Sequence, residues 1–438
     1  MCPQVSLIAS PNASLRDMPP TLNRPLADLP SGCDVLVVGA GPAGSATALS
    51  LARSGFDVVL IDSHAFPRDK ICGDGLIPDA HHALRKLGVL DEVMAMAQHA
   101  THVGITGPRG GNIKVPGSLA VLPRRELDLL LCRAAAQAGA RMFAPVKFTA
   151  PIEEDIGGVK TVVGARLQAG DAMHELRAPW VVMATGAAVQ ATQAADMCTR
   201  RTPSGMALRG YVKNPAMKTR ITALDVVWHA RMKGSYGWIF PCPGDVFNIG
   251  VGVVHSHKVG RDGRSAMHGV NLREVFQAFT EVHAPARDLI ATGEWSGELK
   301  GAPLRYSLSG ALYSRAGLLV TGEAAGSTYD LTGEGIGKAM QTGILAAEAV
   351  IAGRAHALSD TAVRAAYEAG LLALKPRFEM YEKASSVYAH PWLIDLVVWS
   401  AKRSPARIQR LSGVLAETHT PKALVSLKSL ARLVFVRS

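Results

Sequence analysis

Cysteine is sparse and unpaired in this chain. Cys2, Cys33, Cys72, Cys132, Cys198 and Cys242 are scattered with no C-x-x-C pair. That spacing argues against a zinc site, and a chain of 438 residues that is 48% hydrophobic needs no disulfide staples. A reducing, cytoplasmic setting with no bound metal is therefore expected. Aromatic residues make up 5% of the chain, and no basic stripe interleaves with them. The net charge of +11 then points to an anionic membrane surface or a phosphorylated substrate, and not to nucleic acid. No apolar run is long enough to span a bilayer, and the N-terminus lacks the basic-then-apolar order of a signal peptide. Internal repeats are also missing. A monomer or weak oligomer is expected.

What the chain does carry begins at Cys33. "CDVLVVGAGPAGSATALSLARSGFDVVLIDS" reads as a buried strand, a glycine-rich turn, a helix and a second buried strand. The turn is Gly39-Ala40-Gly41-Pro42-Ala43-Gly44. Its glycines suit a tight turn, a pyrophosphate close to the backbone and close helix–strand packing, with the helix N-terminus facing the phosphates. Asp62 follows about 20 residues later, where a carboxylate bonds ribose hydroxyls, and Ser63 stands beside it. This is a dinucleotide cradle.

A second glycine-rich turn lies far along the chain. "AGLLVTGEAAGSTYDLTGEGIGKAMQTGILAAEAVI" reads as a buried strand ending at Gly322-Glu323, then a helix opening at Gly333, Gly335 and Ile336. Together the two segments resemble the flavoprotein monooxygenase and reductase superfamily, which includes aromatic hydroxylases and geranylgeranyl reductases. The resemblance implies FAD as cofactor and an α/β (α+β) fold. That fold has a Rossmann-like FAD-binding domain, a mostly antiparallel β-sheet substrate domain and a C-terminal helical region. It implies that Glu323, where the family usually has Asp, bonds the ribityl chain. It also implies that the later helix faces the flavin ring. Asp330 stands where the family has proline. Arg124 matches the family's pyrophosphate-contacting arginine, with Arg125 as the alternative. Thr185 replaces an aspartate of the hydroxylases, which turns the resemblance away from them.

Two stretches resemble the geranylgeranyl reductase branch. "FPRDKICGDGL" is similar to its C-G-[DE]-G-L turn, which implies that Cys72 and Gly73 lie by the flavin, with Arg68 and Lys70 towards its phosphates. "SYGWIFPCPGDVFNIGVG" is similar to its Y-x-W-x-F-P…G-x-G motif, which implies that Tyr236 and Trp238 wall a substrate cavity. The expected activity is reduction of isoprenoid double bonds, with Cys72, Tyr236 and Trp238 at the reacting centre and NADPH or ferredoxin as electron donor. Two alternatives stand beside it: a monooxygenase or halogenase acting on an aromatic or polyketide-like substrate, and a non-catalytic prenyl-binding protein.

The expected organisation is a flexible leader over 1–30, an FAD-binding domain over 31–190 and 311–354, a substrate domain over 191–310 and a helical region over 355–438. "WHARMKGSYGWIF" and "VFNIGVGVV" read as strands and "LREVFQAFTEV" as a helix. Lys402, Arg403, Arg407, Arg410, Lys422, Lys428, Arg432 and Arg437 make the C-terminus basic. Leu424, Leu427, Leu430 and Leu433 recur beside them at helical spacing. A basic amphipathic helix of this kind suits peripheral docking on an anionic membrane.

Overall fold

The protein is described by a computed structural model covering residues 22–232, 234–255, 269–388 and 390–419. The short valine-rich runs become a parallel sheet because both faces are covered and no polar alternation is needed. Its strand order is Ser314–Arg315, Leu318–Val320, Trp180–Met183, Val35–Val38, Val58–Ile61 and Arg141–Phe143, with only the first pairing antiparallel. Helix α1 (Pro42–Arg53) follows the strand at Val35–Val38. Helices α2 (Pro78–Lys86) and α3 (Leu90–Met96) lead to a hairpin, and α4 (Arg124–Gln137) leads back to the sheet.

A second sheet runs in the order Glu294–Trp295, Gly205–Lys213, Val246–Val253, Ser235–Cys242, Leu224–Val227, Gln98–Thr106, Asn112–Val121 and Gly75–Leu76. Lys300–Leu304 adds on beside Gly205–Lys213. Short helix α5 (Gln190–Ala194) precedes this region. Helices α6 (Leu272–Val282) and α7 (Ala284–Thr292) cover one face of the sheet. Helices α8 (Ile336–Ala355), α9 (Asp360–Ala384), α10 (Trp392–Ala401) and α11 (Pro405–Leu415) complete the described chain.

The structure departs from the expected layout in three places. Residues 22–30 are not a loose leader: Leu22 is buried, and the Asn23 amide exchanges hydrogen bonds with the Phe66 backbone at 2.7 and 2.9 Å. Strands from residues 75–121 join the sheet built by residues 205–304, because Leu224–Val227 pairs in parallel with Gln98–Thr106. The expected strand from Trp228 to Phe240 begins only at Ser235. A turn precedes it, with Gly234 at φ +70° and the Ser235 hydroxyl donating to the Met232 carbonyl. The helix at Leu272–Val282 falls where its apolar spacing places it. Lys422 through Arg437 and the leucines among them lie outside the described residues, as does the leader before Leu22.

Helix α1 seats on the first strand because two glycines leave no side chain in the way. Gly39 takes φ +101°, and a Cβ there would lie 2.4 Å from the Ala184 carbonyl oxygen. A Cβ on Gly44 would lie 1.8 Å from the Gly39 carbonyl oxygen. Backbone cannot yield as a side chain can. Gly44→Ala is therefore predicted to cost on the order of 1–3 kcal/mol, read as a lower apparent Tm and weaker FAD retention.

Candidate functional site

The Gly41 end of the cradle is lined by cations. A Cβ on Gly41 would stand 3.5 Å from Arg124 Nη2 and 3.9 Å from Arg68 Nη2, so the glycine keeps the backbone open towards both guanidiniums. The buried Asp128 carboxylate fixes them, accepting from Arg124 Nε at 2.6 Å and Nη2 at 2.8 Å and from Arg68 Nη1 at 2.9 Å. Burial works against charge on Arg124, but the Asp128 carboxylate outweighs it and raises Arg124 above the ordinary arginine range. Asp62 sits at the strand end, accepting from the Ala40 and His64 amides and pairing with Arg68 at 3.2 Å. Ser63 is exposed, as is Arg125, which leaves Arg124 as the inward arginine.

The turn around Cys72 is held by a buried side-chain network. Asp74 takes a left-handed conformation, φ +65°. Its Oδ2 accepts from Tyr211 Oη at 2.5 Å and Asn248 Nδ2 at 2.8 Å, while Oδ1 accepts from the Arg124 amide at 3.3 Å. Asn248 Nδ2 also donates to the Cys72 carbonyl at 2.8 Å, and its Oδ1 accepts from Trp238 Nε1 at 2.9 Å. Arg209 holds the preceding residues through the Asp69 carboxylate at 2.6 Å and the Lys70 carbonyl at 3.0 Å. Burial pushes the Asp74 carboxyl up to about 6 despite its donors. Burial, then the Asp74 charge, pushes the Cys72 thiol up, so Cys72 faces the cavity as a neutral thiol and not as a thiolate nucleophile.

The aromatic wall depends on cross-strand room. Tyr236 stands opposite Gly252 and Trp238 opposite Gly250 in the antiparallel register. A Cβ on Gly252 would come within 2.8 Å of the Tyr236 ring, and one on Gly250 within 2.4 Å of the Trp238 ring. The rings continue into Trp228 and Tyr388, with centroids 5.7–6.3 Å apart.

The second glycine turn opens α8 towards the same place. Gly335 caps the helix, Ile336 begins it, and a Cβ on Gly333 would lie 2.8 Å from the Tyr236 hydroxyl. Glu323 accepts from the Arg305 amide at 3.3 Å, and burial pushes its carboxyl up against the pull of Lys70. Asp330, where the resemblance placed proline, is buried and accepts from Ser385 Oγ at 2.9 Å.

One cavity of about 790 Å³ joins these parts. At one end it meets Gly39, Gly41, Pro42, Ala43, Asp62 and Arg124. At its middle it meets Cys72, Gly73, Tyr236, Trp238, Glu323 and Gly333. Ser63, Arg68, Lys70, Gly335 and Ile336 also line it. Gly44 and Gly322 do not. They serve packing, and a Cβ on Gly322 would lie 2.6 Å from that of Ala43. The far arm is apolar, bounded by Val115, Leu224 and Val226 of the sheet and by Ile394, Val397 and Leu415 of α10 and α11.

The cradle fits FAD. Two helix N-termini open into one cavity, a glycine faces two arginines where a pyrophosphate needs donors, and a buried carboxylate ends the second strand. The family match agrees: residues 32–251 match the FAD binding domain family. The chain belongs to that family. This FAD-binding oxidoreductase is 32% identical over 338 residues to a menaquinone reductase of Mycolicibacterium smegmatis, covering 73% of this chain and 76% of the relative. It is 27% identical to a digeranylgeranylglycerophospholipid reductase of Methanopyrus kandleri, covering 73% and 80%. Its fold is that of a geranylgeranyl bacteriochlorophyll reductase-like protein of Thermoplasma acidophilum, with a TM-score of 0.67, 20% identity and 92% and 96% coverage. The fold class read from the sequence, Rossmann-like with antiparallel strands and C-terminal helices, is the observed one.

Among the described residues no group of His, Cys, Asp and Glu is placed to hold a metal, and Cys33, Cys72, Cys132, Cys198 and Cys242 are free thiols. The sequence reading missed Asn248, Asp128, Tyr211 and Glu334. Asn248 had a signal, as a lone amide inside the apolar "VFNIGVGV". Asn248→Leu leaves the Trp238 indole, the Cys72 carbonyl and Asp74 short of partners. It is predicted to cost about 1–3 kcal/mol and to weaken FAD binding roughly tenfold, measured by flavin titration of the apoprotein.

Proposed function

We propose that this FAD-dependent oxidoreductase saturates carbon–carbon double bonds in the isoprenoid chain of a prenylated membrane lipid, of the prenylquinone class. The observation that carries the reading is the continuity of the cavity. The dinucleotide cradle, the Cys72 turn and the aromatic wall open without a break into an apolar arm. The names of the menaquinone and digeranylgeranylglycerophospholipid reductases support it, since both belong to lipids.

Reduced FAD, when bound, supplies the hydride. The chain's own residues do the rest. Arg124, Arg68 and the Gly41 backbone hold the pyrophosphate end, and Asp62 and Glu323 hold the sugar and ribityl hydroxyls. Tyr236, Trp238 and Phe240 press an alkene into one plane. An isolated alkene is a poor hydride acceptor, so alignment and exclusion of water carry much of the catalysis. The apolar arm excludes that water. It also gives nothing for a polar substrate to bond.

The roof of that arm faces outward as well as inward. Ile394 and Val397 of α10 line the cavity, while Trp392 and Trp399 on its other side are 53% and 40% exposed. Seven residues apart, the two indoles share one face. Arg403 stacks on Trp399 at 4.1 Å, and Lys402 and Arg410 are exposed nearby. Indoles beside cations suit the headgroup layer of an anionic bilayer. Among the described residues no helix is long and apolar enough to cross a membrane. Docking therefore means a peripheral contact that brings the cavity roof to its lipid substrate.

Two outcomes are expected. Dithionite-reduced protein given prenylquinones anaerobically should add two mass units per bond, and fragmentation should place the hydrogens in the chain. A gain confined to the quinone ring, or none at all, would sink the reading. Trp392→Ser with Trp399→Ser should lower co-sedimentation with anionic vesicles several-fold while FAD content is unchanged.

A further inference from the structure

The reaction needs a proton as well as a hydride, and the residues that first suggest themselves are poor acids. Burial pushes the Tyr236 hydroxyl further from ionisation. Cys72 is likewise pushed up. A group reluctant to release its proton makes a weak general acid.

A carboxyl cluster stands beside the same cavity. Lys338, on the first turn of α8, is 3% exposed. Its ammonium lies 2.9 Å from Glu417 Oε2 and 3.8 Å from Asp79 Oδ2. Asp79, on α2, is 6% exposed, and neither of its oxygens has a hydrogen-bond donor among the described residues. Arg377 of α9 reaches Glu417 at 2.9 Å from the rim, and the Tyr329 hydroxyl donates to Glu417 Oε1 at 2.9 Å. Glu334 completes the group, and it lines the cavity. The Tyr329–Glu334 turn fixes its backbone: the Tyr329 amide donates to the Glu334 carbonyl at 2.9 Å and the Gly333 amide to the Tyr329 carbonyl at 3.0 Å.

Three carboxyls thus share two cations in a low-dielectric setting. Burying an uncompensated negative charge is costly, and keeping one proton removes it. Glu334 is the carboxyl of the three pushed furthest towards holding that proton. Burial raises its carboxyl well above the usual range, and the charges of Asp79 and Glu417 add to this, outweighing Lys338 and Thr332. Burial raises Asp79 only to about 6, because Lys338 pulls it back. Glu417 is held low by Lys338 although burial opposes this. Of the three carboxyls it is Glu334 that lines the cavity, and the charges around it push it towards the protonated form that a proton donor needs.

We propose that the Glu334 carboxyl delivers the proton that completes alkene reduction in this cavity, with Lys338, Asp79 and Glu417 positioning and refilling it. The proposal rests on the reductase reading above. One alkene carbon takes a hydride, with its electron pair, from the reduced cofactor. The other carbon forms a C–H bond as the Glu334 O–H bond breaks, and the double bond becomes single. The carboxylate left behind recovers a proton from solvent by way of Glu417, whose side chain is 18% exposed.

Infrared spectroscopy of the FAD-bound protein tests where the proton sits without turnover. At pH 8 the wild type should show a protonated-carboxyl band that shifts in D₂O, and Glu334→Gln should lack it. In single turnover of dithionite-reduced protein with a prenylquinone, Glu334→Gln should be roughly 100-fold slower, with normal FAD content. Glu334→Asp should recover part of the loss. A general acid must be protonated, so the wild-type rate should fall as pH rises through the Glu334 ionisation, and the Gln variant should lose that limb. A band that survives in Glu334→Gln overturns the assignment. So does wild-type turnover by that variant, and in that case the reductase reading stands. No mass gain from the wild type sinks the reading itself.

Discussion

One amide side chain ties the cofactor cradle to the substrate wall. Asn248 spends its carbonyl oxygen on the Trp238 indole and its amino group on Asp74 and the Cys72 carbonyl. Asp74 in turn accepts from the Arg124 amide, whose side chain is locked by Asp128. Three regions far apart in sequence, 72–74, 124–128 and 238–248, are thereby fixed to one another through buried polar groups. Such a network specifies one arrangement sharply, because any slip leaves a donor or acceptor unpaired in an apolar setting.

The cradle was legible in the sequence because it is local. Strand, turn, helix and acid follow one another from Val35 to Asp62, so spacing alone reads them. The aromatic wall was legible for a similar reason, since Tyr236, Trp238, Gly250 and Gly252 lie on one hairpin. The Lys338 cluster was not, because Asp79, Glu334 and Glu417 come from three regions that only the tertiary fold brings together. Asn248 falls between these cases. Its polarity inside an apolar strand was visible, but its partners, on the opposing strand and in a distant turn, were not. The C-terminal helices were legible only in part. Their cations invite a reading as a surface feature, whereas α10 and α11 also lay apolar side chains over the cavity.

The polar and apolar ends of the cavity divide the work of recognition. At the cradle, Arg68 and Arg124 are held by the buried carboxylates of Asp62 and Asp128, so their position is set by charge and hydrogen bonds. In the far arm, Val115, Leu224 and Leu415 offer shape and little else. An arm of that kind distinguishes little between apolar groups, because each buried methylene gains similar transfer free energy.

The position of Glu417 in the chain bears on how the protein comes to be made. A ribosome releases residues in order, and the cradle strands, the aromatic hairpin and α8 all precede α10 and α11. While those last helices are still unmade, the apolar arm has no roof and Lys338 has no Glu417. The nascent protein therefore passes through a stage in which its cofactor cleft is assembled but open. That stage is a natural window for a large, charged dinucleotide to enter before α10 and α11 close over the apolar arm.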